Sequence, residues 1–542
     1  MSLRPAIDNV DPLAVNLIGR VCIGDVLTRS ARHFGDRLAV VDGEFELSYR
    51  QLESRANSVA RGLSGAGVER GDAVTLVLPN CWQFLATFFG CAKLGAAVVP
   101  VNLGLAPTDI AFQLDDTGPR VAVVEESFLP LLEKSLSAAA SATSTLESIV
   151  VVGGGEDHPA EVAGITVTSF DTVMATSDAP VETFVDDRDV VQCLYTSGTT
   201  SRPKAVLTSH TAVTMAALSA CLQFRHERGD RYSVFPIVLP LFHVTALDTL
   251  TLPVLLSGGT VLLHRGFDPE AILRDVATRQ VTHLMLLPIM WGVMAQRAGV
   301  AAAGCENVRM AVYAMAPMSQ ERLSEVRVAF PNADVVLGSG QTEFIPPTVM
   351  QWPSHQWQKF SSWGAPVATT DVQIMNADGR LLPPGEEGEI VYRGPQAMQG
   401  YHGNEDANTV AFAHGWFHSG DVGYLDEDGV LWFTDRLKDI VKSGGENVSS
   451  VEVERVLLAH PDVADCAVVG TPDDRWGEAV TAVVVPGDGV AVDVETLRSY
   501  AKQHLAGYKV PKRFVAVEQL PKTTTGKIQK HELRARIDTD EG

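Results

Sequence analysis

Residues 72–79 read "DAVTLVLP", residues 81–95 "CWQFLATFFGCAKLG" and residues 120–126 "RVAVVEE". The first and last are short β-branched runs with no polar face, whereas the middle stretch carries its apolar residues at helical spacing. A strand that is apolar on both faces must be covered on both, and a parallel sheet with crossover helices does this. The alternation returns at "HLMLLP" (residues 283–288), at the "IMWGVMAQRAG" that follows it, and at "ADVVLGSG". It predicts α/β layers with largely parallel strands, whose ligands lie in crevices beyond the carboxyl ends of those strands. A chain of 542 residues exceeds a single core and divides into roughly three or four structural units.

From about residue 370 the pattern changes to short strands with Gly and Asp turns, "DVQIMNADGRLLPPGEEGEIVYRG" and "GYLDEDGVLWFTDR", which predict antiparallel hairpins around "ADG" and "EDG". After them, residues 436–542 have helices and strands of their own and the length of a separate domain. The most apolar stretch, residues 84–101, is interrupted by Gly90, Lys93, Gly95 and Pro100 and reads as a helix, turn and core strand rather than an integral membrane segment. Seven scattered cysteines without a C-x-x-C pair indicate a reducing compartment, and the opening "MSLRPAIDNVDPLAV" lacks the pattern of a secretory signal, so a cytoplasmic protein is expected. The net charge of -23 argues against nucleic acid and anionic membranes as partners. Any anionic ligand must be held by local groups.

The segment "LYTSGTTSRPKAVLTSH" (residues 194–210) places five hydroxyls, on Thr196, Ser197, Thr199, Thr200 and Ser201, around Gly198, with Lys204 just beyond. A strand over residues 189–195 and a helix over residues 211–224 would make it a connection between core elements. Inward-turned N–H groups and uncharged hydroxyl donors make a cradle for phosphate oxygens, although Ser, Thr, Gly and Pro favour ordinary turns as well. It is not a Walker A loop, because Lys204 stands between Pro203 and Ala205. No G-x-S-x-G elbow of a serine hydrolase occurs.

In residue order, "YTSGTTSRPKAV" resembles the phosphate-loop signature T-S-G-S/T-T-G-x-P-K-G of the adenylate-forming (ANL) superfamily, which includes acyl-CoA synthetases and other AMP-binding enzymes. The resemblance continues in order through "LPLFHVTAL" (residues 239–247), "YAMAPMS" (313–319), "GSGQTEF" (338–344), the ribose and hinge region at 415–454, and "PKTTTGKIQKHELR" (521–534). It implies a large N-terminal adenylation domain, residues 1–435, of two α/β sheets and a distorted β-barrel, and a small mobile C-terminal α+β domain, residues 436–542. It also implies an ATP-dependent acid–CoA ligase that forms an acyl-adenylate, transfers the acyl group to coenzyme A, and releases AMP and pyrophosphate.

The resemblance assigns roles by position. Thr196, Ser197, Gly198, Thr199, Thr200 and Lys204 would hold phosphate, and Ala316, Pro317, Gly338, Ser339, Gly340 and Gln341 the adenine side. Glu343 would hold Mg²⁺, with Thr342 near the α-phosphate, and His243 would gate the acid site. Asp421 and Arg436 would bind ribose. Lys527 would bridge the substrate carboxylate and the ATP phosphate, and Lys438 would be the hinge that exchanges it for the loop of Ser443, Gly444, Gly445 and Glu446, flanked by Lys442 and Asn447, for the thioester step. Three positions depart from the pattern: Ser201 and Ala205 replace glycines, and Ser339 stands where an aromatic residue is common. Pocket candidates near His243, at residues 315–318 and 344–347, and at Trp363 are mostly apolar and favour a hydrophobic acid over a dicarboxylate. Aryl (cinnamate-type) and carnitine-type acids, or a separate carrier protein as acceptor, share the same motifs, and a homodimer is an admissible assembly. A catalytically inactive nucleotide-binding regulator could dispense with Lys527, which this chain keeps.

Overall fold

The structure, a computed structural model, describes all residues except 1–8, 143–144, 155–157, 175–176, 197–202, 300–302, 315–316, 474, 488, 490–492, 523–527 and 541–542, and the main chain alone for 538–540. Two compact units emerge: Met1–Asp371 with Arg393–Val410, and Val372–Tyr392 with Ala411–Gly542. The hairpin region ahead of residue 436 therefore groups with the second unit; the division expected at that residue concerns function and is taken up below as a proposal.

The first unit is built around a nine-stranded sheet. Its central strands, Val190–Thr196, Ala97–Pro100, Ala73–Val77, Val121–Glu125, Ser148–Val152 and Ile165–Ser169, lie side by side in that order and are parallel. The apolar stretch forms the helix Trp82–Leu94, with Phe84, Phe88 and Phe89 fully buried, and then the buried strand Ala97–Pro100. No described helix is long and apolar enough to cross a membrane. A second sheet runs His283–Leu286, Met310–Tyr313 and Asp334–Gln341 in parallel, then turns antiparallel through Phe344–Met350 and Ala365–Pro366. A third, of four strands, joins Val234–Ile237, Thr260–Leu263 and Leu38–Asp42 in parallel and adds Phe45–Ser48 antiparallel.

One strand was not expected. Between the hydroxyl-rich loop and the following helix lies Lys204–Ser209, antiparallel to Val190–Thr196 on one side and to the short strand Gly400–Tyr401 on the other. Val206 and Thr208 are β-branched and buried, which suits a strand closed on both edges. The helix His210–Gln223 begins only at Ser209, whose hydroxyl accepts the Ala212 N–H at 3.2 Å.

In the second unit the "EDG" hairpin forms as expected from Phe417–Leu425 and Leu431–Arg436, whereas "ADG" closes on a single bridge between Met375 and Leu381. A further sheet pairs Val463–Asp473 with Gly477–Pro486 and adds Arg513–Ala516 in parallel. Its core, with Val453, Leu457, Val468, Val480 and Leu497, receives the helices Ser450–Leu458 and Val494–His504.

A π-helix, Thr245–Thr251, buries Asp248 completely in the first unit, and Gln192 Nε2 donates to both its carboxylate oxygens at 3.0 Å. Burial pushes the Asp248 carboxyl from its ordinary 3.8 up to about 7, against the lowering effect of Gln192. The folded pKa is thus raised, so this site's contribution is full below about pH 4 and is lost as the pH rises toward 7. An Asn can keep the contact if the Gln192 amide turns, because Gln192 Oε1 has no partner among the described residues. Asp248→Asn is expected to be more stable than the parent at pH 8 by about 3 kcal/mol, with a smaller gap at pH 5. Denaturant melts at the two pH values test this, and an equal gap at both would remove Asp248 as the cause.

Candidate active site

Thr196 ends one strand, Lys204 begins the next, and the two are cross-strand partners. The loop therefore starts and finishes on neighbouring backbone positions at one end of the sheet. Ser197, Gly198, Thr199 and Thr200 of the expected cradle, and Ser201 with them, lie outside the described residues, as do Met315, Ala316 and Lys527. The strand ahead of the loop is anchored by Tyr195, whose hydroxyl donates to Asp116 Oδ2 at 2.6 Å.

Thr342 and Glu343 are the two turn residues between Asp334–Gln341 and Phe344–Met350, with Gln341 paired to Phe344 across the hairpin. Gly338 and Ser339 lie on the first of these strands, opposite Met350 and Val349. The register shifts between Ser339 and Gln341, and a side chain on Gly340 would start 2.9 Å from Pro346, so only glycine fits that close approach. The Tyr401 hydroxyl donates to Glu343 Oε1 at 3.1 Å, and Thr196 Oγ1 approaches the same oxygen at 3.5 Å. The Glu343 carbonyl accepts the Met398 N–H at 2.8 Å. Burial, with Glu343 alongside, holds the Tyr401 phenol above its ordinary range, so it stays a donor. Lys204 Nζ sits 4.6 Å over the Tyr401 ring. Gln341 Nε2 is buried beside this turn without a hydrogen-bond partner among the described residues.

The arrangement offers a cation a single carboxylate among hydroxyls. Among the described residues no cluster of three or more His, Cys, Asp or Glu side chains could hold a metal by itself. A lone carboxylate fits Mg²⁺, which keeps waters and takes its remaining ligands from phosphate.

His243 lies where "LPLF" turns into the π-helix, and its Nδ1 accepts the Thr245 N–H at 3.3 Å. Asn80, which carries no motif, holds the approach: its Oδ1 accepts Leu241 N–H at 2.7 Å, and its Nδ2 donates to the carbonyls of Leu239 and His264, each at 2.9 Å. Thr249 of the π-helix donates to the Pro346 carbonyl at 3.0 Å, which ties the His243 segment to the strand that follows Glu343. Of the apolar pocket candidates, Phe344 and Ile345 are fully buried, and Trp363 is half-buried against the second core. Met318 belongs to that same core, beside Trp291 and Tyr313, while Pro317 is exposed. The alternation that aims Met318 inward is a feature of the fold, invisible in the run "AMAPMS".

In the second unit Asp421 and Arg436 are cross-strand partners, with Arg436 Nε 2.7 Å from Asp421 Oδ1. Lys438 is exposed just beyond. Val441–Ser443 and Glu446–Val448 form a hairpin in which Lys442 faces Asn447 and Ser443 faces Glu446. Gly444 and Gly445 make its two-residue turn with φ of 65° and 86°, which side chains rarely adopt. Trp476 also lies against Gly444, where a Cβ would come within 2.8 Å of its ring.

Residues 27–402 match the family described as AMP-binding enzyme, and residues 452–527 match the AMP-binding enzyme C-terminal domain. A feruloyl-CoA synthase from Amycolatopsis sp is 37% identical over 515 residues, which span 95% of this chain and 99% of that protein. Among solved structures, ATP-bound MatB from Rhodopseudomonas palustris has a TM-score of 0.84 at 25% identity, covering 96% of this chain and 100% of its own. The o-succinylbenzoate CoA synthetase of Bacillus subtilis, in complex with the acyl-adenylate intermediate OSB-AMP, has a TM-score of 0.81 at 28% identity over 94% and 97% of the two chains.

Tyr401→Phe removes the donor to Glu343 and keeps the ring beneath Lys204. The half-saturating concentration of ATP, measured with Mg²⁺ present, is expected to rise about tenfold with little change in melting temperature. An unchanged value would take Tyr401 out of the site.

Proposed function

This chain belongs to the AMP-binding enzyme family, and we propose that it activates a hydrophobic, ring-bearing carboxylic acid of the ferulate kind and passes it to coenzyme A. The protein is an ATP-dependent acid–thiol ligase that works through an acyl-adenylate. The approach of Thr196 and Tyr401 to a single carboxylate, Glu343, at the feet of the hydroxyl-rich loop is the observation that carries the site assignment.

In the first half-reaction two anions must meet. A carboxylate oxygen attacks the α-phosphorus of ATP; the new C–O–P link forms as the bond to the β-phosphate bridging oxygen breaks, and pyrophosphate leaves with that electron pair. A chain of net charge -23 cannot assist this at long range, so short-range donors and one movable cation must do so. We assign the hydroxyls of Thr196, Ser197, Thr199 and Thr200, the Gly198 N–H and Lys204 to the phosphates, and Ala316, Pro317 and residues 338–341 to the adenine side. Glu343 would hold Mg²⁺ against those phosphates, where the ion neutralises charge; Thr342 would donate beside the α-phosphate. Asp421, steadied by Arg436, has the acceptor oxygens that ribose hydroxyls require. Lys527 suits the bridging role because a compact ammonium on a long stem can arrive and withdraw.

In the second half-reaction the thiol gives up its proton and sulfur attacks the acyl carbon; the C–O bond to phosphate breaks and AMP departs. The hairpin around Gly444 and Gly445, with Lys442 and Asn447 side by side, would then face the centre once rotation about Lys438 has moved Lys527 away. Residues 436–542 act as the moving body in this reading, and His243 as the gate of the acid site. Seven unpaired thiols, six of them buried, support a reducing, cytoplasmic setting.

The substrate reading is tested by acid-dependent exchange of labelled pyrophosphate into ATP across a panel of acids, followed by CoA-thioester formation. Ferulate and other cinnamate-type acids are expected to exceed saturated fatty acids and dicarboxylates in kcat/KM. Preference for a dicarboxylate or a long saturated acid would overturn it. Lys527→Ala is expected to lose at least about a hundredfold in adenylate formation while keeping most of the thioester step from supplied acyl-adenylate; equal losses would end its assignment.

A further inference from the structure

A buried chain of polar contacts in the second unit spans the residue assigned above as the hinge. Asp435, in the strand Leu431–Arg436, is only 1% exposed and lies three residues before Lys438. Its carboxylate accepts the Ser450 N–H, and Ser450 Oγ donates to Asp435 Oδ2 at 2.8 Å. Ser450 Oγ in turn accepts Lys530 Nζ at 2.6 Å, and the same ammonium meets Glu454 Oε1 at 2.6 Å. Alongside, Ser449 Oγ donates to the Thr434 carbonyl at 2.8 Å. Burial raises the Asp435 and Glu454 carboxyls above their ordinary range, and Lys530 acts on both in the opposite sense.

A second ion pair nearby has a different relation to the hinge. Arg534 lies one turn beyond Lys530 on the helix Lys530–Asp540 and meets Asp439 at 2.8 Å. Asp439 follows Lys438, so both members of that pair lie on the same side of the pivot. Thr434 and Asp435 precede Lys438, whereas Ser449, Ser450, Glu454 and Lys530 follow it. Rotation about Lys438 would leave the Asp439 pair intact. It would pull Ser450 and Lys530 away from Asp435 and leave this buried carboxylate only the Arg436 N–H, which donates to Oδ1 at 2.7 Å, an under-satisfied arrangement proteins avoid.

We propose that Asp435, Ser450 and Lys530 form a latch that holds one of the two orientations of the C-terminal module and so sets the balance between the half-reactions. The inference rests on the hinge reading of Lys438. These are positioning residues: they act through the placement of Lys527, which lies three residues before Lys530, and of the Gly444 hairpin. Opening the latch lowers the cost of leaving this orientation without touching a reacting atom.

The test uses the full-length enzyme and measures two single-turnover rates, pyrophosphate release without CoA and thioester formation from supplied acyl-adenylate with CoA. Asp435→Asn and Lys530→Met are each expected to shift the ratio of these rates by about fivefold or more, in the same direction. The double variant should add little, because both changes open one latch. Ser450→Ala, a milder change, should move the ratio the same way. A variant that merely folds less well lowers both rates by one factor; an unchanged ratio in Asp435→Asn and Ser450→Ala would therefore overturn the latch. Lys438→Pro separates the two readings. If it shifts the ratio while the latch variants do not, the latch alone fails; if it leaves the ratio unchanged, the hinge reading fails and the latch falls with it.

Discussion

The strand Val190–Thr196 has a parallel neighbour, Ala97–Pro100, on one side and an antiparallel one, Lys204–Ser209, on the other. Parallel neighbours need long crossovers, whereas antiparallel ones can be joined directly. The change of direction at this strand lets the loop that follows it begin and end on adjacent positions, Thr196 and Lys204. The return strand in turn pairs with Gly400–Tyr401, which delivers the Tyr401 hydroxyl to Glu343. Residues 196, 343 and 401 thus meet through backbone pairing. The extra strand is the edge on which Gly400–Tyr401 docks.

The protein handles charge by confinement. It is acidic overall, yet its ligands are anions, so attraction has to come from donors and individual cations within a few ångströms. Acidic side chains are placed in the interior with specific partners: Asp248 with Gln192, Asp435 with Ser450, Glu454 with Lys530. Burial raises the pKa of each of these three carboxyls. A buried carboxylate is costly to leave unpaired, so such groups commit the backbone around them to one arrangement. In the second unit the Asp435–Ser450 contact spans the proposed hinge at Lys438 and the Glu454–Lys530 pair does not, which is the basis of the latch proposed above.

Much of the core was legible because its signals are local. Apolar runs without a polar face marked the strands Ala73–Val77, Val121–Glu125 and His283–Leu286, and helical spacing marked Trp82–Leu94. The "EDG" hairpin followed from turn chemistry, whereas the pairing of Asp421 with Arg436 and the Lys442–Asn447 hairpin came only with the fold. Lys204–Ser209 escaped notice because six residues beside a loop and a helix carry too little periodicity to separate from either. Asn80 and Asp116 escaped for another reason. Asn80 works through carbonyls and an N–H up to 184 residues away, and Asp116 through a hydroxyl 79 residues along the chain, so no window of sequence contains both halves of either interaction.

The sequence alone determined most of the candidate site residues, though not Tyr401, and the elements on which most of them ride, because side-chain type, turn preference and hydrophobic period are properties of short segments. It also determined the superfamily, through six ordered blocks from Tyr195 to Arg534. Tertiary structure decided which of those residues share a site: that Glu343 is met by Tyr401 as well as Thr196, that Met318 packs into a core, and that Asp435 reaches Lys530 through Ser450. The physical reason is that long-range partners are chosen by strand register and by the cost of leaving a buried polar group unmatched, and both quantities exist only once the chain has closed on itself.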